Sequence, residues 1–353
     1  MPSVLPALGA LLAFLAQLLS ATAPASPSEL VGQKLVVRID GRRPDAGLLR
    51  RIRLGQVGGV IVYRGRNFTT AAGLRSLTAG LQTAAAEGGR PPLLIAVDQE
   101  GGGVKQVPWA PPWRSPPQMG DDGAPARAAA QGRSTGRVLR RLGVNADLAP
   151  VADVPGSPRS FMLQSGRTWS GSAAVTSELA NAFAAGLERG GAVPVMKHFP
   201  GLGLAALNTD SHVVAITASR QELAPGLVPY RRAIARHIPM VMLSNAVYDA
   251  YDGANAAGWS AAVGTRLLRR GLGFTGVTIT DSLDGAAHAR GIGVVPLALR
   301  AARAGTDMIL VTGSEATSRG VYSRLVAAVR RGALSGSRLE ASYRRILALK
   351  RTL

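Results

Sequence analysis

Lys197-His-Phe-Pro-Gly-Leu-Gly-Leu-Ala-Ala-Leu-Asn-Thr-Asp-Ser-His212 is the stretch from which the fold of this chain can be inferred. The apolar run Ala192-Val-Pro-Val-Met196 precedes it and is typical of a buried strand in a parallel sheet. Two of the four histidines of the chain lie in the stretch, at its beginning and at its end. Polar residues that follow an apolar strand are typical of the active-site face of an α/β barrel. We therefore predict chemistry here, with a solvated loop as the alternative interpretation.

The remainder of the chain alternates short apolar runs with helical patterns. Alanine-rich helical patterns cover residues 173–189, 221–236 and 295–304. This alternation predicts one α/β domain over residues 28–353, a (β/α)8 TIM-type barrel. A doubly wound open sheet is the alternative, but no Gly-x-Gly-x-x-Gly motif follows the first run. The eight predicted strands are 34–40, 57–63, 93–97, 144–151, 193–196, 238–243, 276–280 and 307–311.

The composition excludes several ways of stabilising the protein or building a site. Its 353 residues are 46% hydrophobic and 5% aromatic, which is compatible with a core of alanine, valine and leucine. The chain has no cysteine, so disulfides and thiolate metal sites are excluded. We predict no metal site and no cofactor.

The formal net charge is +20, and most of the positive charge is arginine. The arginines form short, scattered clusters, without interleaved aromatic residues and without a nucleic-acid motif. We therefore expect no nucleic-acid partner. A solvated basic surface with weak attraction to anionic cell-wall polymers is the preferred interpretation.

The amino terminus has the pattern of an export signal. An apolar stretch covers residues 5–20, and small residues follow at Ala21-Thr-Ala23 and Ala23-Pro-Ala25. The stretch is shorter than the ~20 residues that a membrane span needs, so no stable span is expected. We predict a signal peptide over residues 1–25 and a secreted or cell-envelope protein. Because no Lys or Arg precedes the apolar stretch, a retained amino-terminal anchor is the alternative.

Polar residues follow most of the predicted strands, where barrel active sites are assembled. This set of carboxylates, imidazoles and cations suits acid–base or covalent chemistry on a polyhydroxylated substrate. The residues are Asp98, Asp153, Arg167, Lys197, His198, Asp210, His212, Ser244, Asn245, Tyr248, Asp281 and Asp284.

Four motifs in this order resemble the family 3 glycoside hydrolases, specifically their single-domain β-N-acetylglucosaminidase branch. They are Val97-Asp-Gln-Glu-Gly-Gly, Lys197-His-Phe-Pro-Gly, Asp210-Ser-His212 and Thr280-Asp-Ser-Leu-Asp284. The resemblance implies a retaining hydrolase of terminal β-linked GlcNAc in peptidoglycan fragments or chitin-type oligosaccharides. A β-glucosidase, a GlcNAc phosphorylase and a non-catalytic sugar-binding barrel remain alternatives.

The resemblance also implies a role for individual residues. Asp281 matches the catalytic nucleophile, which forms a glycosyl-enzyme ester. Asp210 and His212 match the acid–base pair, in which an imidazolium donates a proton and Asp210 orients the ring. Asp284 is expected to cap a helix or to support the site. Four further residues match positions that bind the hydroxyls of the terminal sugar: Asp98, Arg167, Lys197 and His198.

Three positions depart from the pattern of the branch. Gly103 stands where an arginine is usual, and Lys105 is the nearest residue that can replace it. The Pro-Gly turn continues with Leu202-Gly-Leu-Ala205 instead of His-Gly-Asp-Thr, and Asn245 stands where a histidine is usual. For Lys197 and Asp98, a structural salt bridge between the third and fifth strands is an alternative role.

Overall fold

Eight parallel strands form the centre of the computed structural model, which describes residues 25–353. The apolar stretch of the predicted export signal lies outside the described residues. The strands are β1 Leu35–Arg38, β2 Gly59–Ile61, β3 Leu94–Val97, β4 Ala146–Asp147, β5 Val193–Phe199, β6 Met240–Leu243, β7 Val277–Thr280 and β8 Ile309–Val311.

The strands close into a barrel. Each strand from β1 to β6 pairs with the next one in the chain, and β8 pairs with β1. A parallel bridge between Ile279 and Met308 connects β7 to the beginning of β8 and completes the circle. The predicted (β/α)8 barrel is thus confirmed, and the doubly wound open sheet is excluded.

Helices surround the barrel and connect its strands. The predicted helix 173–189 has these same bounds in the structure, and the helices predicted at 221–236 and 295–304 are shifted by one residue or less at each end. The α-helices are α1 Pro27–Gly32, α2 Ala46–Arg53, α3 Ala71–Glu87, α4 Pro116–Asp122, α5 Pro125–Arg141, α6 Phe161–Gln164, α7 Ala173–Arg189, α8 Arg220–Ala235, α9 Asp249–Asp252, α10 Leu283–Ala289, α11 Val294–Ala304, α12 Glu315–Arg330 and α13 Gly336–Lys350.

Several smaller elements complete the fold. A π-helix, Ala262–Gly271, precedes β7. A short hairpin follows β3, with strands Gln99–Gly101 and Val104–Lys105. Ala215–Ile216, Val247–Tyr248 and Gly253–Ala256 form a small separate sheet. Among residues 25–353, none of the helices has both the length and the apolar character needed to span a lipid bilayer.

Side chains alternate along each strand, and this divides the apolar core into a part inside the barrel and a part between the barrel and the helices. In β1, Val36 points into the barrel, whereas Leu35 and Val37 pack beneath the surrounding helices. In β5, Val193 and Val195 lie in the barrel interior. The same two-residue period places Lys197 on the inner face at the end of that strand.

All eight strands differ from their predicted bounds: β5 is longer than predicted, and the other seven are shorter. β5 continues through Phe199, so Lys197 and His198 lie on the strand and not in the loop after it. The extended strand pairs with neighbouring segments, since Lys197 bridges to Val151 and Phe199 pairs with Leu243 of β6. β4 covers two residues of the predicted 144–151, because Pro150 has no N–H to donate to the ladder.

The helices α5 and α7 approach each other closely along a line of glycines. A Cβ built on Gly186 would lie 2.2 Å from the backbone oxygen of Ala129, and one on Gly132 would lie 2.2 Å from the oxygen of Phe183. The side chains of other residues would therefore push the two helices apart. Since α7 leads into β5, this contact helps to fix the strand that carries Lys197.

We predict that Gly186→Ala lowers the free energy of unfolding by roughly 1–3 kcal/mol or more, because the added methyl group overpacks a rigid backbone contact. Gly80→Ala in α3 is the matched control, since no atom lies within 4 Å of its added Cβ. The control should be neutral or stabilise by roughly 0.5–1 kcal/mol. Urea unfolding followed by circular dichroism measures both, and equal effects would contradict the close approach of the helices.

Candidate active site

A pocket of about 260 Å³ lies at the carboxyl ends of the barrel strands. The predicted site residue His212 does not belong to its lining within the described part of the chain. The other six predicted site residues line it together: Asp98, Arg167, Lys197, His198, Asp210 and Asp281.

A buried ionic cluster forms one wall of the pocket. Lys197 Nζ lies 2.7 Å from Asp98 Oδ1 and 2.7 Å from Glu100 Oε1. Arg167 donates two hydrogen bonds to the Glu100 carboxylate, both 2.8 Å long. The side chain of Glu100 is 1% exposed, whereas that of Asp98 is 21% exposed. Glu100 therefore holds the two cations, and Asp98 remains accessible to a ligand.

The charges of this cluster stabilise one another. Burial raises the pKa of Glu100, but the charges of Lys197 and Arg167 more than offset this effect and lower it to about 2. Burial lowers the pKa of Lys197, but Asp98 and Glu100 raise it above its usual value. Both groups are thus ionised at neutral pH. The alternative role for Lys197 and Asp98, a salt bridge, is therefore present. Both side chains also line the pocket, where a ligand can reach them.

His198 is held by a buried aspartate. Its Nδ1 lies 2.7 Å from Asp153 Oδ2, and Asp153 Oδ1 accepts hydrogen bonds from the backbone N–H groups of His198 and Leu202. Since an ionised carboxylate only accepts hydrogen bonds, this contact assigns the proton to Nδ1. Nε2 is then the polar ring atom left for another partner.

Asp281 follows directly after β7. Its backbone N–H donates to Leu243 O, and the backbone N–H of Ser282 donates to Asp281 Oδ1 at 2.8 Å. Within the described residues, no other hydrogen bond reaches this carboxylate. One carboxylate oxygen is therefore oriented, and the other is available to react.

Asp210 approaches Asp281 from the loop after β5. Burial raises the pKa of Asp210, and the negative charge of Asp281 raises it further, to about 6. The approach depends on Gly285 in α10, because a Cβ at that position would lie 2.8 Å from Asp210 Oδ1. Asp210 retains contact with solvent, so it is able to exchange its proton.

His212 lies outside this arrangement. Its side chain is exposed, and Nδ1 lies 3.0 Å from the hydroxyl oxygen of the neighbouring Ser211. No hydrogen bond joins His212 to Asp210 in the described structure. The predicted acid–base pair is therefore close in sequence but is not assembled in this conformation.

Glu100 and Tyr63 were missed in the sequence analysis, and Asp153 was placed at the strand ends there without an assigned role. Glu100 follows Asp98 by two positions in an extended segment, and this spacing places both carboxylates on one face. Asp153 follows the fourth predicted strand, but its partner His198 is 45 residues away in sequence. Tyr63 lines the pocket, and burial, with the charges of Asp98 and Asp281, raises its pKa above the usual value.

The positions that depart from the branch pattern have their own contacts. The Lys105 ammonium lies 4.3 Å from the centre of the Trp113 ring and does not line the pocket. Asn245 donates from Nδ2 to Ser282 O, next to Asp281. Asp284 accepts a hydrogen bond from the Thr312 backbone N–H, so it connects α10 to the end of β8. The expected supporting role of Asp284 agrees with this contact.

A (β/α)8 barrel with several carboxylates and cations around a sugar-sized pocket is the arrangement of a glycosidase. The model of the glycosyl hydrolase family 3 N-terminal domain matches residues 26–349. The chain belongs to glycoside hydrolase family 3, so the predicted family is confirmed.

Relatives and solved structures support this assignment. The chain is 33% identical over 346 residues to an "Uncharacterized secreted glycosyl hydrolase" of Arthroderma benhamiae. This alignment covers 96% of this chain and 98% of that protein. It is 33% identical over 345 residues to "Beta-hexosaminidase LpqI" of Mycobacterium tuberculosis, with 92% and 83% covered. A family 3 β-N-acetylglucosaminidase structure from a Paenibacillus species has a TM-score of 0.88 and 32% identity. That similarity covers 93% of this chain, which spans 62% of the Paenibacillus chain.

We predict that Glu100→Gln lowers the free energy of unfolding at pH 7 by about 3–5 kcal/mol, because two buried cations lose their shared counterion. The low pKa of Glu100 means that its stabilisation is present above the unfolded value of about 4.3 and is lost as the pH falls towards about 2. Urea unfolding at several pH values measures this difference.

Glu87→Gln is the matched control for this prediction. It breaks an ion pair with Arg53 whose side chains are 50% and 44% exposed. Such surface pairs contribute about 0–1 kcal/mol. A Glu100 variant that is no less stable than this control would show that the buried cluster is not needed for the fold.

Proposed function

We propose that this protein is a retaining β-N-acetylglucosaminidase that removes terminal β-linked GlcNAc from peptidoglycan fragments or chitin-type oligosaccharides. The observation that carries the proposal is the Asp281 carboxylate, oriented by Ser282 on one oxygen and facing the ionic wall of the pocket. The names of the relatives from Mycobacterium tuberculosis and Paenibacillus support the choice of a β-linked N-acetylhexosamine.

The pocket suits one sugar unit. Its volume of about 260 Å³ is below the range of about 300–1,000 Å³ of pockets for drug-sized ligands. In the proposed complex, Asp98 accepts hydrogen bonds from two sugar hydroxyls, and Lys197 and Arg167 donate to sugar oxygens. His198 contributes Nε2. A pocket of this size favours the terminal residue of a chain over an internal one.

The proposed reaction has two steps. In the first, Asp281 attacks the anomeric carbon, the bond to the leaving oxygen breaks, and that oxygen takes a proton from the acid. In the second, water gives a proton to the same group, now a base, and attacks the anomeric carbon. The ester bond breaks and the Asp281 carboxylate is restored. Two inversions give net retention.

We propose His212 as the acid–base group and Asp210 as its partner. In this role His212 must enter the pocket, and it does so if the loop 208–213 changes its conformation when a sugar binds. The exposure of residues 210–213 leaves them free to move without breaking core contacts. Asp210 is the second candidate for the acid, because it already lines the pocket and its pKa is raised to about 6.

The proposal extends to the organisation and location of the protein. Residues 28–353 would form the catalytic barrel, and residues 1–25 would direct export to the cell envelope or the medium. The name of the secreted relative from Arthroderma benhamiae supports export. Cell-wall fragments containing GlcNAc are substrates that a secreted enzyme of this kind would meet.

We expect aryl β-GlcNAc to be hydrolysed with a higher kcat/KM than aryl β-glucoside, and without a requirement for phosphate. Asp281→Ala should fold normally and lose far more than tenfold in kcat, because the nucleophile is absent. Release of nitrophenol measures both rates. Preference for the glucoside, phosphate-dependent turnover, or an active Asp281→Ala variant would each contradict the proposal.

We further expect His212→Ala to lower the rate of the first step for both substrates, but at least about a hundredfold more for a GlcNAc disaccharide than for an activated aryl substrate. Only the poor leaving group of the disaccharide needs a proton. Azide, which needs no base, should restore turnover of the aryl substrate and yield a β-glycosyl azide. Rapid-mixing kinetics and product analysis measure these effects.

Asp210→Asn distinguishes the two candidates for the acid. If Asp210 supports His212 as a carboxylate, kcat/KM falls as the pH drops below about 6, the pKa of Asp210, and the variant loses this dependence. If Asp210 is itself the acid, kcat/KM falls as the pH rises through the same value. Equal losses on both substrates for His212→Ala, without azide rescue, would exclude His212 as the acid–base group and leave Asp210 as the remaining candidate.

A further inference from the structure

A second pocket lies between the π-helix and α13. It has a volume of about 430 Å³ and is larger than the candidate active site. Ala261, Thr265, Gly305 and Ala341 contribute to its lining. The remaining lining residues are all cations, and we call them the arginine pocket: Arg266, Arg269, Arg270, Arg338 and Arg345.

The arginine pocket lies at the end of the barrel opposite the candidate active site. Arg269 donates to the backbone oxygens of Phe274 and Gly276, which precede β7. Asp281 follows the same strand. Five residue steps at about 3.3 Å each separate Gly276 from Asp281 by about 16 Å, and the two pockets share no lining residue.

The positive charge of the arginine pocket is mostly uncompensated. The buried Asp307 accepts from Arg345, with 2.7 Å between Nη2 and Oδ1, and it also pairs with Arg269. Arg266, Arg270 and Arg338 are exposed, and no salt bridge to a carboxylate is formed by them in the described structure. Two of the five guanidinium groups thus pair with a carboxylate, and the other three do not in the described structure.

We propose that the arginine pocket binds a chain of phosphate groups. Guanidinium groups bind phosphate oxygens in pairs, and several of them around one concave space increase the local attraction for an anion. Asp307 holds Arg269 and Arg345 in place, which leaves the three exposed arginines to contact the ligand. The pocket is large enough for more than one phosphate group, which favours a chain over a single ion.

The position of the arginine pocket has a consequence for the enzyme. A polymer bound there leaves the opposite end of the barrel open. The protein could be retained on an anionic polymer while its catalytic pocket faces away from that polymer. This inference does not depend on the proposed function, because the binding and the hydrolysis are measured separately.

The test uses inorganic tripolyphosphate and isothermal titration calorimetry at low salt. The wild-type protein should bind it more tightly than orthophosphate, and the affinity should fall as salt rises. Arg266→Gln, Arg270→Gln and Arg338→Gln together should weaken binding about tenfold or more, because charged hydrogen bonds are lost. Hydrolysis of aryl β-GlcNAc should not change in this variant.

The matched control removes three exposed arginines elsewhere: Arg75→Gln, Arg141→Gln and Arg324→Gln. It has the same net charge and should bind tripolyphosphate as the wild type does. Equal weakening in both variants would overturn the proposal, because it would show a diffuse surface attraction. Equal affinity for orthophosphate, or no wild-type binding at low salt, would also overturn it.

A single-stranded DNA oligonucleotide tests the other class of phosphate polymer. The lining of the arginine pocket contains no aromatic residue on which bases stack. We therefore expect the oligonucleotide to bind no more tightly than an inorganic polyphosphate with the same number of phosphate groups. Tighter binding that the three pocket substitutions abolish would overturn the assignment and identify a nucleic-acid site.

Discussion

The buried Glu100 carboxylate holds the candidate active site together. It lies after β3, and it binds Lys197 from β5 and Arg167 from the segment between α6 and α7. Three separate parts of the chain are thereby fixed around one carboxylate. A buried charge is costly without partners, and each partner here would be costly without Glu100. The pocket wall can therefore form only when the barrel is closed and β3 and β5 are in their final positions.

Charged residues in this arrangement have two different roles, as buried counterions and as side chains open to the pocket. Glu100 is almost fully buried and has a strongly lowered pKa, so it acts as a permanent counterion. Asp98, in contact with the same lysine, keeps part of its surface open to the pocket. Asp153 holds His198 in a similar way. Asp98 and His198, which line the pocket, are thus held by contacts with buried charged groups, and this reduces the reorganisation needed when a ligand binds.

The two ends of the barrel differ in how their charges are balanced. At the carboxyl ends of the strands, acids and bases alternate around a small pocket, and the acids include one, Asp210, whose pKa lies near 6. At the other end, arginines from the π-helix and α13 share Asp307 alone. The net charge of +20 is therefore unevenly balanced by carboxylates at the two ends of the barrel. One end brings acids and bases together around a pocket, and the other end concentrates positive charge.

The sequence by itself determined the barrel, the family and six of the residues that line the pocket. Apolar runs alternating with helical patterns predict parallel strands, because strands buried on both faces need apolar side chains throughout. Polar residues at the ends of those strands then meet on one face. Only the tertiary structure showed that β5 continues through Lys197 and His198, because this extension depends on a bridge to Val151, beyond the end of β4, and on pairing with Leu243 of β6. Only the tertiary structure placed Asp210 in the pocket and left His212 outside it, since the path of an exposed loop depends on contacts such as that with Gly285. The convergence of the arginines at 266–270 with Arg338 and Arg345 is likewise a property of the folded chain, because the spacing of these two groups in sequence carries no periodic signal.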